Sequence, residues 1–222
     1  MAISVYEIPE MILMITSQVI AALIIILLIK KHNKRKRDGE DNRFEKGLIL
    51  FFSISITIYS LLIFNSFIFQ ISPYLNVFIL IVTMISLIIM VYTIELCILT
   101  KTKFIITIIY VINVIALLLV GFITQTSFYL PPLSLGNLAL IFFLPILYFY
   151  ITGKSVGDLR KNSFLMGFGF LGTLGGGTFR PDVLIYVSPD SFVTYPLIAY
   201  NLGPLAMFTG LIILLYAFYS TR

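Results

Sequence analysis

Seven apolar runs, each close to the length of a membrane crossing, set the terms for this chain: approximately 11–29, 48–70, 75–99, 104–124, 132–152, 163–187 and 193–219. A helix needs about 20 residues to cross about 30 Å of hydrocarbon. The connections are short, and only Lys30 to Lys46, KKHNKRKRDGEDNRFEK, reads as a solvated segment of any size. Charged residues are 11% of the chain and hydrophobic ones 59%, against about 25% charged in soluble domains. The pattern predicts an all-α integral membrane protein, a seven-transmembrane helix bundle in which residues 1–222 form a single domain.

Positive charge orients the bundle, because Lys and Arg in short loops stay on the cytoplasmic side. The first connection carries Lys30, Lys31, Lys34, Arg35, Lys36, Arg37, Arg43 and Lys46, the third Lys101 and Lys103, the fifth Lys154, Arg160 and Lys161, and the C-terminus Arg222. These are fourteen of the fifteen basic residues. The opposite side carries Glu7, Glu10, Asp182 and Asp190, so the N-terminus is expected outside and the C-terminus in the cytoplasm. The first run lacks a basic start and has its cluster after the apolar stretch, which argues for a retained helix and against a cleaved signal peptide. The expected location is the cell membrane, multi-pass. The Lys30–Lys46 cluster suits anionic lipid headgroups, and Asp38, Glu40, Asp41 and Glu45 follow closely. Nothing further supports a nucleic-acid partner.

Polar residues inside the spans are few. Glu95, in YTIELC, lies about one turn from the cytoplasmic edge, where it is expected to snorkel toward Lys101 or Lys103. Asn65, Asn113, Asn137 and Asn201 are amides of the kind that bond across helices. The single cysteine, Cys97, excludes an intrachain disulfide, and with one histidine, His32, no Cys/His cluster is available for a metal. No Ser/His/Asp set, HExxH or phosphate loop appears. No catalytic residues, no metal and no cofactor are expected, and the chain does not read as an enzyme.

The sixth run differs in kind, with glycines at 167, 169, 172, 175, 176 and 177. Gly172 and Gly176 are four apart on one face, and the seventh run answers with Ala199, Gly203, Ala206 and Gly210. Small residues let helix backbones approach closely in lipid, so these two helices are expected to pack together. The next stretch, GGGTFRPD, weakens the helix, since glycine costs about 1 kcal/mol against alanine and proline removes a backbone bond. A break or bend is expected between Gly175 and Pro181. Arg180, the fifteenth basic residue, then falls about 27 Å along the span, near the outer boundary. Asp182, Asp190, Glu7 and Glu10 are its candidate ion-pair partners. An outer pocket would join Arg180, Asp182 and Asp190 to aromatic walls including Tyr186 and Tyr195, the guanidinium fork suiting a carboxylate or phosphate.

The last helix has no lysine, which excludes covalent retinal, and the two halves have no matched prolines of the kind a repeat transporter carries. The stretch GDLRKNSFLMGFGFLGTLGG and the outer loop SPDSFVTYPLIAYNLGPLAMFTGLIILLYAF resemble the seven-transmembrane N-terminal sensor region of archaeal and bacterial histidine kinases. The resemblance covers the topology and about the last 65 residues in detail. It implies a sensor with an outward-facing pocket. The chain departs from the family in ending at Arg222 without a coiled linker or kinase domain, so that either a signal passes to a separate cytoplasmic partner or the chain is a stand-alone relative with another role. A transporter of a small polar or anionic solute, and an accessory subunit packed against a larger membrane complex, are the alternatives.

Overall fold

A computed structural model of the chain describes residues 7–63, 73–124, 131–178 and 196–220. Among these residues the structure is helical throughout, without a strand: α1 (Glu7–Arg37), α2 (Arg43–Ile63), α3 (Pro73–Cys97), α4 (Ile105–Thr124), α5 (Pro131–Lys154), α6 (Gly157–Thr178) and α7 (Pro196–Ser220), with a 3-10 turn, Thr100–Thr102, between α3 and α4. Each apolar run carries one helix. Within the described residues three stretches, Ile8–Arg37, Arg43–Leu61 and Tyr200–Ser220, are long and apolar enough to cross a membrane. Ile81–Cys97, Ile105–Ala116 and Phe142–Lys154 are shorter apolar helical stretches.

Local chemistry accounts for the helix ends. Pro73, Pro131 and Pro196 each open a helix, where a missing N–H costs nothing and φ is already set. α1 closes on Gly39, whose φ of 70° lets the Glu40 N–H reach the Arg35 carbonyl at 2.9 Å and the Gly39 N–H reach Lys36 at 3.4 Å. Those two bonds are a Schellman closure. The apolar stretch of α1 was expected to end near 29, yet the helix continues through Arg37, 31 residues or about 46 Å. Lysine and arginine are good helix formers, so apolarity ends before helicity does. The segment 30–46 is therefore helical in its first half.

The chain divides into two compact units, residues 22–133 and residues 1–21 with 134–222. In the first, α3 packs against α2 and α4. Phe51 and Phe52 of α2, Met90 and Ile94 of α3, and Tyr110 of α4 form its buried core. Gly47 lets α2 close on α3, because a Cβ there would overlap the Thr93 side chain. The Tyr110 hydroxyl reaches Met84 Sδ at 3.8 Å.

In the second unit, α6 and α7 make the most extensive helix contact among the described elements. A Cβ at Gly172 would stand 2.8 Å from Gly210 Cα and 2.9 Å from the Ala206 carbonyl oxygen. At Gly176 it would stand 2.5 Å from Met207 N and 2.7 Å from the Gly203 carbonyl oxygen. A Cβ at Gly210 would meet the Thr173 backbone nitrogen. Backbone-to-backbone packing of this kind, made possible by small residues, holds the pair. At its other end Ser220 Oγ donates to Asn162 Oδ1 at 2.9 Å. Tyr148 of α5 stacks on Phe170 of α6 with ring centroids 5.4 Å apart, which ties α5 to the same pair.

The run of three glycines therefore contains positions of opposite kind. A Cβ at Gly175 meets nothing within 4 Å, so Gly175→Ala should be neutral or raise stability by up to about 1 kcal/mol. Gly176→Ala and Gly210→Ala press on backbone and should cost about 1–3 kcal/mol. Thermal unfolding of the purified variants in detergent checks this, and equal losses at 175 and 176 would contradict the packing.

Candidate functional site

The residues expected to form an outer pocket, Arg180, Asp182, Tyr186, Asp190 and Tyr195, lie outside the described residues. α6 stays helical through Gly175, Gly176 and Gly177 to Thr178, so the expected break does not begin within the glycines, and from residue 179 onward it too falls outside the described residues. The frame on either side is defined. α6 stops at Thr178 and α7 starts at Pro196, and Gly176 lies against Gly203 and Met207 close to both ends. The last turn of α6 and the first turns of α7 thus lie at the same end of a tightly packed helix pair. Gly172 and Gly210, a turn or more further in, come together in the same seam.

Glu95 stands elsewhere than expected. Its side chain is buried, 1% exposed, and makes no ion pair with Lys101 or Lys103, both of which are exposed. Its carboxylate instead closes the start of α4. Oε1 accepts from the Ile106 N–H at 3.1 Å and from Thr102 Oγ1 at 2.6 Å. Oε2 accepts from the Thr107 N–H at 2.7 Å and from Thr107 Oγ1 at 2.5 Å. The first amides of any helix lack intrahelical partners and carry partial positive charge. A carboxylate from the preceding helix meets both needs. The turn that brings α4 back is tight, with Lys103 at φ 48° and Phe104 at φ 64°, left-handed conformations that cost about 1–2 kcal/mol per residue for L side chains. Four hydrogen bonds to a charged acceptor offset that strain.

The signal for this arrangement was in the sequence. The residues just before α4 are Lys103 and Phe104, neither able to cap, so its orphan amides require an acceptor from elsewhere. Glu95 is the nearest carboxylate along the chain. Reading its depth alone pointed to lysine, because that reading counted charges and left out backbone donors. Asn113 likewise departs from expectation: its Nδ2 is buried with no acceptor among the described residues, while a cross-helix amide contact is made by Asn162 with Ser220.

A second buried acid lies at the same end of the 22–133 unit. Glu45, 5% exposed, takes Arg35 Nη1 on Oε1 at 2.9 Å and also acts electrostatically on Lys31. Its other oxygen, Oε2, is buried without a donor among the described residues. Arg35 further reaches the Asp41 carbonyl at 3.4 Å and Glu40 Oε2 at 3.8 Å. Asp41 in turn holds the Arg43 N–H at 3.0 Å and its guanidinium at 3.4 Å. These contacts clamp the α1–α2 turn. Among the described residues no three His, Cys, Asp or Glu side chains group to hold a metal. Comparison with protein-family models, with characterised proteins and with solved structures gave no match.

The cap and the lysine pair predict opposite mutational patterns. Glu95→Ala strands two amides and two hydroxyls, and at about 1.5–3 kcal/mol for a hydrogen bond to a charged group it should cost on the order of 3 kcal/mol. Lys101→Ala should stay within about 0.5 kcal/mol of wild type. Denaturation in detergent micelles measures both, and a Lys101→Ala loss matching that of Glu95→Ala would restore the ion pair.

Proposed function

We propose that the chain is a multi-pass cell-membrane protein of seven spanning helices, with its N-terminus outside and C-terminus in the cytoplasm, that works as a sensor or ligand-binding module. Its outer segment, with Arg180, Asp182, Tyr186, Asp190 and Tyr195, would take a small anionic or polar ligand, and the α6–α7 pair would carry the bound state to a cytoplasmic partner. One observation carries this reading: α6 and α7 are joined along their length, by glycine contacts next to residues 179–195 and by the Asn162–Ser220 hydrogen bond at the far end. A displacement of either helix at the segment is then imposed on the other. The resemblance of the sixth and seventh runs to histidine-kinase sensor regions agrees with it.

The distribution of charge supports the orientation. In the 22–133 unit the Arg35–Glu45 pair, the Gly47–Thr93 contact and the Glu95 cap bring the end of α1, the start of α2 and the α3–α4 turn together. Lys30 to Lys46, Lys101 and Lys103 therefore share one end. In the other unit Lys154, Arg160 and Lys161 flank the α5–α6 turn, the end at which Asn162 meets Ser220. In each unit taken alone, basic side chains gather at one end, as the retention of Lys and Arg in the cytoplasm requires.

Cysteine labelling tests the orientation. In a Cys97→Ser background, Ser188→Cys should react with a membrane-impermeant thiol reagent added outside intact cells. Val156→Cys, at a position 84% exposed, should react only after permeabilisation. The reverse pattern would overturn the orientation.

Ligand binding turns on Arg180. A small carboxylate or phosphate should raise the unfolding temperature of the wild type. Arg180→Ala should fold with about the same stability but lose that rise, and Arg180→Lys should not restore it, because an ammonium lacks the bidentate fork. If no anion stabilises the wild type, and an Arg180→Ala, Asp182→Ala double variant regains the stability lost by Arg180→Ala, the arginine is only an ion-pair partner. Movement of labelled anion into proteoliposomes would assign a transporter in place of a sensor.

A further inference from the structure

The acids at the basic end of the 22–133 unit are largely in internal use, and we infer that the cations left over form a binding surface for the phosphate headgroups of anionic phospholipid. Glu95 is held by α4, Glu45 by Arg35, Asp41 by Arg43, and Glu40 lies beside Arg35. Asp38 alone of these acids stands exposed without an ion pair among the described residues. The neutralisation that a charge count suggests therefore falls on Arg35 and Arg43, with Lys31 also under the charge of Glu45. Lys30, Lys34, Arg37, Lys46, Lys101 and Lys103 are exposed and make no ion pair among the described residues.

Helix geometry sets these cations in groups. Lys30, Lys34 and Arg37 follow one another at intervals of four and three residues on the part of α1 that continues past its apolar stretch, so they share one face. Lys46 opens α2, beside Glu45. Lys101 and Lys103 sit on the α3–α4 turn, freed for outside contacts because Glu95 is engaged elsewhere.

Their level favours a lipid over a soluble polyanion. Each group borders one end of an apolar helical stretch, the level that headgroups would occupy, and long basic side chains keep their stems on apolar surface while the charge reaches water. Tyr92 and Phe104, 46% and 38% exposed, stack with centroids 5.3 Å apart next to Lys103. An exposed aromatic pair flanked by lysine is the composition of a membrane-interface anchor. The phosphodiester is the ligand chemistry, and its source is the leaflet that this end of the unit meets.

The inference rests on the membrane reading above, and its test does not depend on which end is cytoplasmic, since both leaflets of a nanodisc have the same composition. The full chain is placed in nanodiscs of phosphatidylcholine mixed with phosphatidylglycerol, and the lipids that remain bound on mild detergent extraction are quantified by mass spectrometry. Phosphatidylglycerol should be enriched several-fold over its bulk share, each engaged cation counting for about fivefold at an anionic surface. The Lys30→Gln, Lys34→Gln, Arg37→Gln variant and the Lys101→Gln, Lys103→Gln variant should each lose at least half of that enrichment. Their unfolding temperatures in phosphatidylcholine alone should match wild type, because neither set takes part in an internal ion pair. Enrichment that is absent, or unchanged in both variants, overturns the inference. So does displacement of bound phosphatidylglycerol by an equal charge concentration of inorganic polyphosphate, which would make the partner a soluble polyanion. Reversed cysteine labelling would overturn the orientation and leave this result standing.

Discussion

A buried peptide group that finds neither water nor another partner costs several kcal/mol. Helices solve this for their interiors and leave it unsolved at their ends, where four N–H groups and four carbonyls remain without intrahelical partners. The structure answers end by end. Prolines open α3, α5 and α7 with one donor fewer to satisfy, and a left-handed glycine closes α1 by two backbone bonds. Where neither device is present, at the start of α4, a buried carboxylate from α3 supplies the acceptor. Glu95 is therefore what lets α3 and α4 reverse direction through two consecutive left-handed residues.

The same constraint governs side packing. Once the backbone is satisfied, helix association depends on how closely the facing surfaces can approach. The chain meets this in two ways. In α6 and α7 the side chain is removed, so that main chain rests on main chain at Gly172, Gly176 and Gly210. In α2 and α3 a single glycine, Gly47, admits the Thr93 side chain, and large residues such as Phe52 and Met90 fill the rest.

The helical class, the seven runs and the small-residue pairing of α6 with α7 were legible because each rests on a composition that varies along the chain at the scale of a helix. The end of α1 was not. Hydropathy falls at Lys30, but helix propensity stays high through Arg37, and the stop is set by Gly39, a single residue whose role depends on φ. Glu95 was misread for a related reason. Its distance from the membrane edge follows from the sequence, whereas its partners depend on a turn geometry that two non-glycine residues adopt against their own preference. Arg35 and Glu45, ten apart along the chain, became a pair only once the Gly39 closure had folded α2 back toward α1.

The end of α6 joins local propensity to tertiary packing. Gly175, Gly176 and Gly177 lie in its last turns, and at about 1 kcal/mol each relative to alanine they make this the least favourable part of the helix in isolation. It is also a part where Gly176 lies directly against the α7 backbone. Helicity there is thus supported by α7 more than by local propensity, and the α7 contact exists only while the turn is helical. The two conditions stand or fall together. Any state that unwinds the turn also releases Gly203 and Met207 from Gly176. Gly176 joins low intrinsic helicity to close packing, since a Cβ there would meet the α7 backbone whereas one at Gly175 would meet nothing within 4 Å.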